Sequence, residues 1–153
     1  MSLNYKTPQF IRPLAICVFR HNGKILVCEG VDTVKNEIFY RPAGGMIEFG
    51  EKAEEALRRE IMEETGEEIT DIKYLGLLEN IFTYEGKPGH EIILIYDAEF
   101  VNKDMYRKEA VNITESNNVW CYAYWKSLDE FGDGKMKLYP DNLKSMLLNS
   151  TQS

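Results

Sequence analysis

From Glu51 to Thr65 the chain carries neither proline nor glycine, and Gly66 follows at once. Ala, Leu, Glu, Arg and Met fill this run, all of them good helix formers. A glycine directly after it is the residue that closes a helix in the left-handed conformation. The pattern therefore predicts a helix over Glu51–Thr65, and it limits the fold more than any other segment. At 3.6 residues per turn, Glu60, Glu63 and Glu64 stand at i, i+3 and i+4, so their carboxylates share one face. Ala53, Ala56, Leu57 and Ile61 form the neighbouring apolar stripe. Such a helix anchors itself on a core and hangs an acidic cluster at the edge of its buried side.

A run of glutamates is most often a solvated helix face. Two costs argue otherwise here. Like charges at i,i+3 or i,i+4 each cost roughly 0.2–0.5 kcal/mol. Glu63 and Glu64 also sit in the last turn, where the helix dipole disfavours anions by roughly 0.3–1 kcal/mol each. Stability alone favours lysine there. A hard cation removes the conflict, because Mg²⁺ takes oxygen ligands and is commonly shared between carboxylates and phosphates.

Around the helix the chain reads as strands. Leu14–Phe19 and Ile25–Cys28 flank His21-Asn22-Gly23-Lys24, and Asn-Gly is a strong hairpin signal. Ile38–Tyr40 predicts a short strand before the glycine loop Pro42-Ala43-Gly44-Gly45. Ile72–Leu78 and Ile92–Phe100 predict two more, with Tyr84-Glu85-Gly86-Lys87-Pro88-Gly89 as a loop between them. Val119–Trp125 is aromatic and β-branched, as strands are, and Asn142–Leu148 ends the pattern as a helix. Strands on both sides of helices in a chain of 153 residues predict one α/β domain over 1–153, a mixed sheet covered by helices.

Formal net charge is −7, and no run of Lys and Arg forms a basic stripe, which argues against binding duplex nucleic acid. A phosphorylated small molecule remains compatible, provided that a bound cation supplies the positive charge. Cys17, Cys28 and Cys121 make no CxxC pair and read as reduced thiols of a cytoplasmic protein. The apolar stretch Leu14–Phe19 is too short for a signal peptide or a membrane span.

The stretch Gly45–Gly66 resembles the box of the Nudix hydrolase family. Gly45, Glu51, Arg59, Glu60, Ile61, Glu63, Glu64 and Gly66 stand at the family's spacing. Two departures flank it: Glu67 replaces the usual aliphatic residue after the last glycine, and Pro42-Ala43-Gly44-Gly45 replaces the commoner Pro-Gly-Gly. The resemblance implies an α/β/α sandwich with a mixed β-sheet and a box folded as loop–helix–loop. It implies a Mg²⁺- or Mn²⁺-dependent pyrophosphohydrolase that cleaves a phosphoanhydride bond in a nucleoside di- or triphosphate-linked substrate. Glu60, Glu63 and Glu64 would be metal ligands, joined by the carbonyl of Gly44 and by Glu115 from a later loop. Arg59 would pair with Glu51 and orient the helix, and either Glu64 or Glu60 would serve as the base. The alternative is a catalytically silent Nudix-fold module that only binds a nucleotide, although such copies usually lose part of the glutamate cluster.

Outside the box, Arg12 and Arg41 are candidates for gripping a phosphate through their forked donors, against an ordinary surface ion pair for each. Tyr84 is a candidate for stacking on a base. His90 can be a general base or merely structural, and Glu91 beside it is an auxiliary base or ligand candidate. The family's markers for ADP-ribose, coenzyme A and NADH substrates are absent, so the nucleotide is left unassigned. The choice between monomer and homodimer is open as well.

Overall fold

The computed structural model describes residues 9–114 and 120–150. Among the described residues ten strands run in chain order: β1 Ile11–Val18, β2 Arg20–His21, β3 Lys24–Asp32, β4 Glu37–Arg41, β5 Ala43–Met46, β6 Ile69–Tyr84, β7 Lys87–Phe100, β8 Ala110–Thr114, β9 Trp120–Ser127 and β10 Lys137–Leu138. Helix α1 spans Ala53–Thr65 between β5 and β6, and α2 spans Leu143–Asn149 after β10. Among the described residues no helix is long and apolar enough to cross a membrane.

The strands divide between two sheets rather than forming one. The first has the order β5-β1-β7-β6, with β1 and β7 parallel and the outer pairs antiparallel. The second has the order β10-β4-β3-β9-β8, with β2 added against β3. Both sheets are mixed, since β10 runs parallel to β4. Every side chain from Leu14 to Phe19 is buried, as in a strand covered on both faces. Ala15, Cys17 and Phe19 join the cluster under Leu57 and Ile61 of α1, while Leu14, Ile16 and Val18 join the one under Leu143 and Leu147 of α2. Helix lies on sheet lies on helix: the α/β/α arrangement.

The hairpin expected between Leu14–Phe19 and Ile25–Cys28 is not formed as such. The turn itself exists, with Asn22 and Gly23 both at positive φ, but the pairing stops at Arg20–His21 on Lys24–Ile25 and the Phe19 carbonyl accepting the Leu26 N–H at 3.2 Å. At Phe19, stacked on Phe100 with ring centroids 3.8 Å apart, the chain leaves the first sheet for the second. The Asn-Gly signal is local and specifies the reversal; the buried neighbours of each apolar run decide which sheet receives it. The loop expected over Tyr84–Gly89 is likewise tighter. Glu85 and Gly86, both at positive φ, turn the chain, and Lys87-Pro88-Gly89 already belong to β7. The last helix begins one residue late because Asn142 takes a left-handed conformation at its start.

Candidate functional site

Helix α1 is fixed by its buried stripe. Ala56, Leu57 and Ile61 are fully buried, and the two larger side chains contribute roughly 1.5–3 kcal/mol each by leaving water. Gly66 closes the helix at φ 75°, its N–H on the carbonyl of Met62. The last turn carries no basic residue. The unfavourable end charge inferred from the sequence is therefore present in the fold.

The preceding loop is held against the helix through its glycines. Gly44 has φ 146°, and a Cβ there would lie 2.2 Å from the carbonyl oxygen of Ala15 on β1, so only glycine permits that approach. At Gly45 a Cβ would lie 2.4 Å from the carboxyl carbon of Glu60. The missing side chain is what lets the Glu60 carboxylate rest on the loop backbone. Glu64, buried at 8% exposure, accepts a hydrogen bond from the Gly44 N–H at 3.2 Å. Burial, partly offset by Arg59, raises the pKa of Glu60.

Arg59 ties the assembly together. Its Nε and Nη2 donate to the two oxygens of Glu51 at 2.7 and 2.9 Å, Nη1 donates to Glu60 at 2.9 Å, and Nη2 also donates to the carbonyl of Met46 at 3.0 Å. Glu63, more exposed, lies 3.4 Å from Nη1. The hydrogen bond from Arg59, with another from the N–H of Glu48, holds the Glu51 carboxyl down at about 2. Its depressed pKa means that the clasp contributes fully above the ordinary glutamate range and is lost as pH falls through about 2. A carboxyl-carbon NMR titration should find Glu51 still ionised at pH 3.5; a midpoint near the ordinary 4.5 would mean the clasp is not formed in solution.

Glu60, Glu63 and Glu64 share one helix face and offer oxygen donors only, the set that suits a hard divalent cation. A positive group, the Arg59 guanidinium, is already drawn between Glu60 and Glu63. The carboxylates are not closed around a common point: among the described residues no three His, Cys, Asp or Glu side chains form a ready-made cage. Glu115 lies outside the described residues.

Between the two sheets opens a cavity of about 530 Å³, lined by Ile16, the register partner of Gly44, but by none of the residues Gly45–Gly66. Arg12, Arg41 and Tyr84 all line it, with Glu91. Arg12 donates to Glu91 at 2.9 Å, the ion-pair alternative for that arginine. Tyr84 meets the ring of Phe39 edge-on at 5.8 Å. His90 is not among the lining residues; it is the neighbour of Ile11 and Ile81 in the sheet register. The structure adds lining residues that sequence reasoning passed over, chiefly Asn80, Phe39, Phe82 and Tyr139. Phe39 and Phe82 differ in no local way from core aromatics, and only the strand register turns them inward.

The comparisons with known proteins agree with this fold. The family model of the NUDIX domain matches residues 11–144. The nucleoside triphosphatase NudI of Escherichia coli O81 (strain ED1a) is 33% identical over 104 residues, covering 61% of this chain and 72% of the relative. The nucleoside triphosphatase NudI of Salmonella heidelberg (strain SL476) is 35% identical over the same shares. Among solved structures, a MutT NUDIX hydrolase from Burkholderia pseudomallei has the same fold, with a TM-score of 0.66 at 20% identity over 94% of this chain and all of that one. A box helix locked to a glycine loop beside an intersheet cavity, in a chain that the family model spans almost from end to end, places this protein in the Nudix family of hydrolases acting on phosphoanhydride bonds.

Proposed function

We propose that the chain is a divalent-metal-dependent pyrophosphohydrolase of nucleoside triphosphates. The observation that carries this is the clasp of Arg59 on Glu51, Glu60 and the Met46 carbonyl, which fixes an intact glutamate cluster beside a nucleotide-sized cavity. The name of the NudI relatives supports the triphosphate as substrate. Glu60, Glu63 and Glu64 would hold Mg²⁺ or Mn²⁺ with the carbonyl of Gly44. The ion would neutralise the phosphoryl oxygens and lower the pKa of a bound water. Glu64, which accepts the Gly44 N–H, would take the proton of the attacking water. Arg41, at the end of β4 beside the glycine loop, would grip a phosphate. Arg59 would stay off the substrate and keep the ligands in register.

Release of phosphate or pyrophosphate from a panel of nucleoside triphosphates in Mg²⁺, stopped by excess chelator, is the expected result. No release from any of them would overturn the proposal. Mg²⁺ should also raise the melting temperature by roughly 5–10 °C at about 100 times its Kd, since it binds only the folded state. Glu60→Gln should lose most of that rise. An equal rise in both proteins would place the ion elsewhere on this acidic surface.

A further inference from the structure

The floor of the cavity carries a polar row that neither the box nor the metal chemistry uses. Three adjacent strands in the order β1, β7, β6 contribute Arg12, Glu91 and Asn80, which face one another directly in the sheet register. Glu91 and Asn80 are buried, at 5% and 7% exposure. Arg12 Nη2 donates to Glu91 Oε2 at 2.9 Å, and Asn80 Nδ2 donates to Glu91 Oε1 at 3.3 Å. The rung behind them is apolar, Leu14 beside Ile93. Burying a carboxylate and an amide in such a place costs stability, and an apolar row would fill the sheet more cheaply.

The row has unspent capacity in a definite order. Among the described residues Nε and Nη1 of Arg12 have no partner, each Glu91 oxygen keeps a lone pair, and Asn80 keeps both Oδ1 and one of its two Nδ2 hydrogens. The other acids around the cavity stand outside this rung: Glu29 accepts from the Tyr40 hydroxyl, Glu37 from the Tyr139 hydroxyl, and Asp32 from the backbone N–H groups of Val34, Lys35 and Glu85. Across the floor the free groups therefore read donor, acceptor, and an amide that can accept or donate. The ligand edge that complements them reads acceptor, donor, and a third polar group.

Guanine has that edge as O6, N1–H and N2–H₂, with Asn80 Oδ1 accepting from the 2-amino group. Adenine opposes a donor to Arg12 and an acceptor to Glu91. Cytosine sets its N3 acceptor against Glu91, whichever way it enters. Uracil and thymine match as well, with Asn80 Nδ2–H donating to O2, but their single ring covers less aromatic surface than a purine does. Phe82, two residues beyond Asn80 on the same face of β6, and Phe39 from the opposite sheet supply flat apolar surface for the ring. We propose that Arg12, Glu91 and Asn80 read the Watson–Crick edge of guanine and make guanine nucleotides the preferred substrates. This rests on the nucleotide hydrolysis proposed above.

Hypoxanthine keeps O6 and N1–H but lacks the 2-amino group, so comparing GTP with ITP isolates the contact to Asn80. The test measures kcat/KM for GTP, ITP, ATP, CTP and UTP in Mg²⁺, and calorimetric binding of GTP and ITP in excess chelator. GTP should exceed ITP by about 10-fold and ATP by about 100-fold. Asn80→Ala, its fold checked by circular dichroism, should bring GTP and ITP to within about threefold of each other. Wild-type preference for ATP or a pyrimidine, no discrimination, or a GTP-to-ITP ratio unmoved by Asn80→Ala would each overturn the assignment. Hydrolysis without guanine preference would leave the proposed activity standing. Guanine-selective binding with no turnover would overturn the activity and keep the assignment. Should Asn80→Ala fail to fold, the wild-type ratios decide.

Discussion

Glu64→Gln is expected to lower turnover by between about 10²- and 10⁴-fold while leaving the fold intact, the range of a lost general base or its equivalent. The side chain is buried and accepts the Gly44 N–H, a bond that the amide oxygen of glutamine can still accept. The glycine loop therefore stays tied to α1. What disappears is the charge, and with it the capacity to hold a cation or to take a proton. The same loss removes a like charge beside Glu60 at i+4 and an anion from a last turn that has no basic residue. Thermal melts in chelator should consequently show Glu64→Gln equal to or above the wild type. Glu63→Gln, at a more exposed position 3.4 Å from Arg59, should cost less turnover. Near-normal rates for Glu64→Gln on every active nucleotide would remove Glu64 from both roles.

The charge side of that expectation was legible in the sequence because it is local, whereas the Gly44 bond to Glu64 spans 20 residues. The helix, its apolar stripe and its acidic face are set by spacing within the run from Glu51 to Gly66, and the helix starts within two residues of the expected point. The clasp of Arg59 on Glu51 also falls within that run, as the family resemblance implied. The polar row shows the opposite limit. Arg12 and Glu91 are 79 residues apart in the chain, and Asn80 joins them through β6, whose expected span over Ile72–Leu78 stopped short of it. No pattern in a single strand reveals that three residues of different type share one rung. The Asn-Gly turn and the two strands beside it were read correctly and their pairing was not, because a turn is specified by its own two residues whereas a partner strand is chosen by burial on both faces.

Arg59→Ala is the second large effect, a fall in turnover on the order of 10²-fold with little change in apparent substrate affinity. The side chain makes its bonds to Glu51, Glu60 and the Met46 carbonyl, all of them within the box, so its removal frees the loop from the helix on the ligand side. Glu60 then stands half-buried against Gly45 with a neighbouring Glu63 and no cation between them. A ligand set loosened in this way binds the ion less well and holds it less accurately, and small displacements of a reacting group cost rate steeply. Arg59→Lys separates charge from geometry. It keeps the positive charge near Glu60 but cannot span both oxygens of Glu51 and the Met46 carbonyl as the forked guanidinium does. It should recover part of the melting temperature lost in Arg59→Ala and only a minor part of the turnover. Arg41→Ala, lining the cavity rather than bracing the box, should instead raise KM with turnover largely kept. Steady-state kinetics on the best substrate decide between the two patterns. A pure KM effect for Arg59→Ala would exclude bracing and turn that arginine toward the nucleotide.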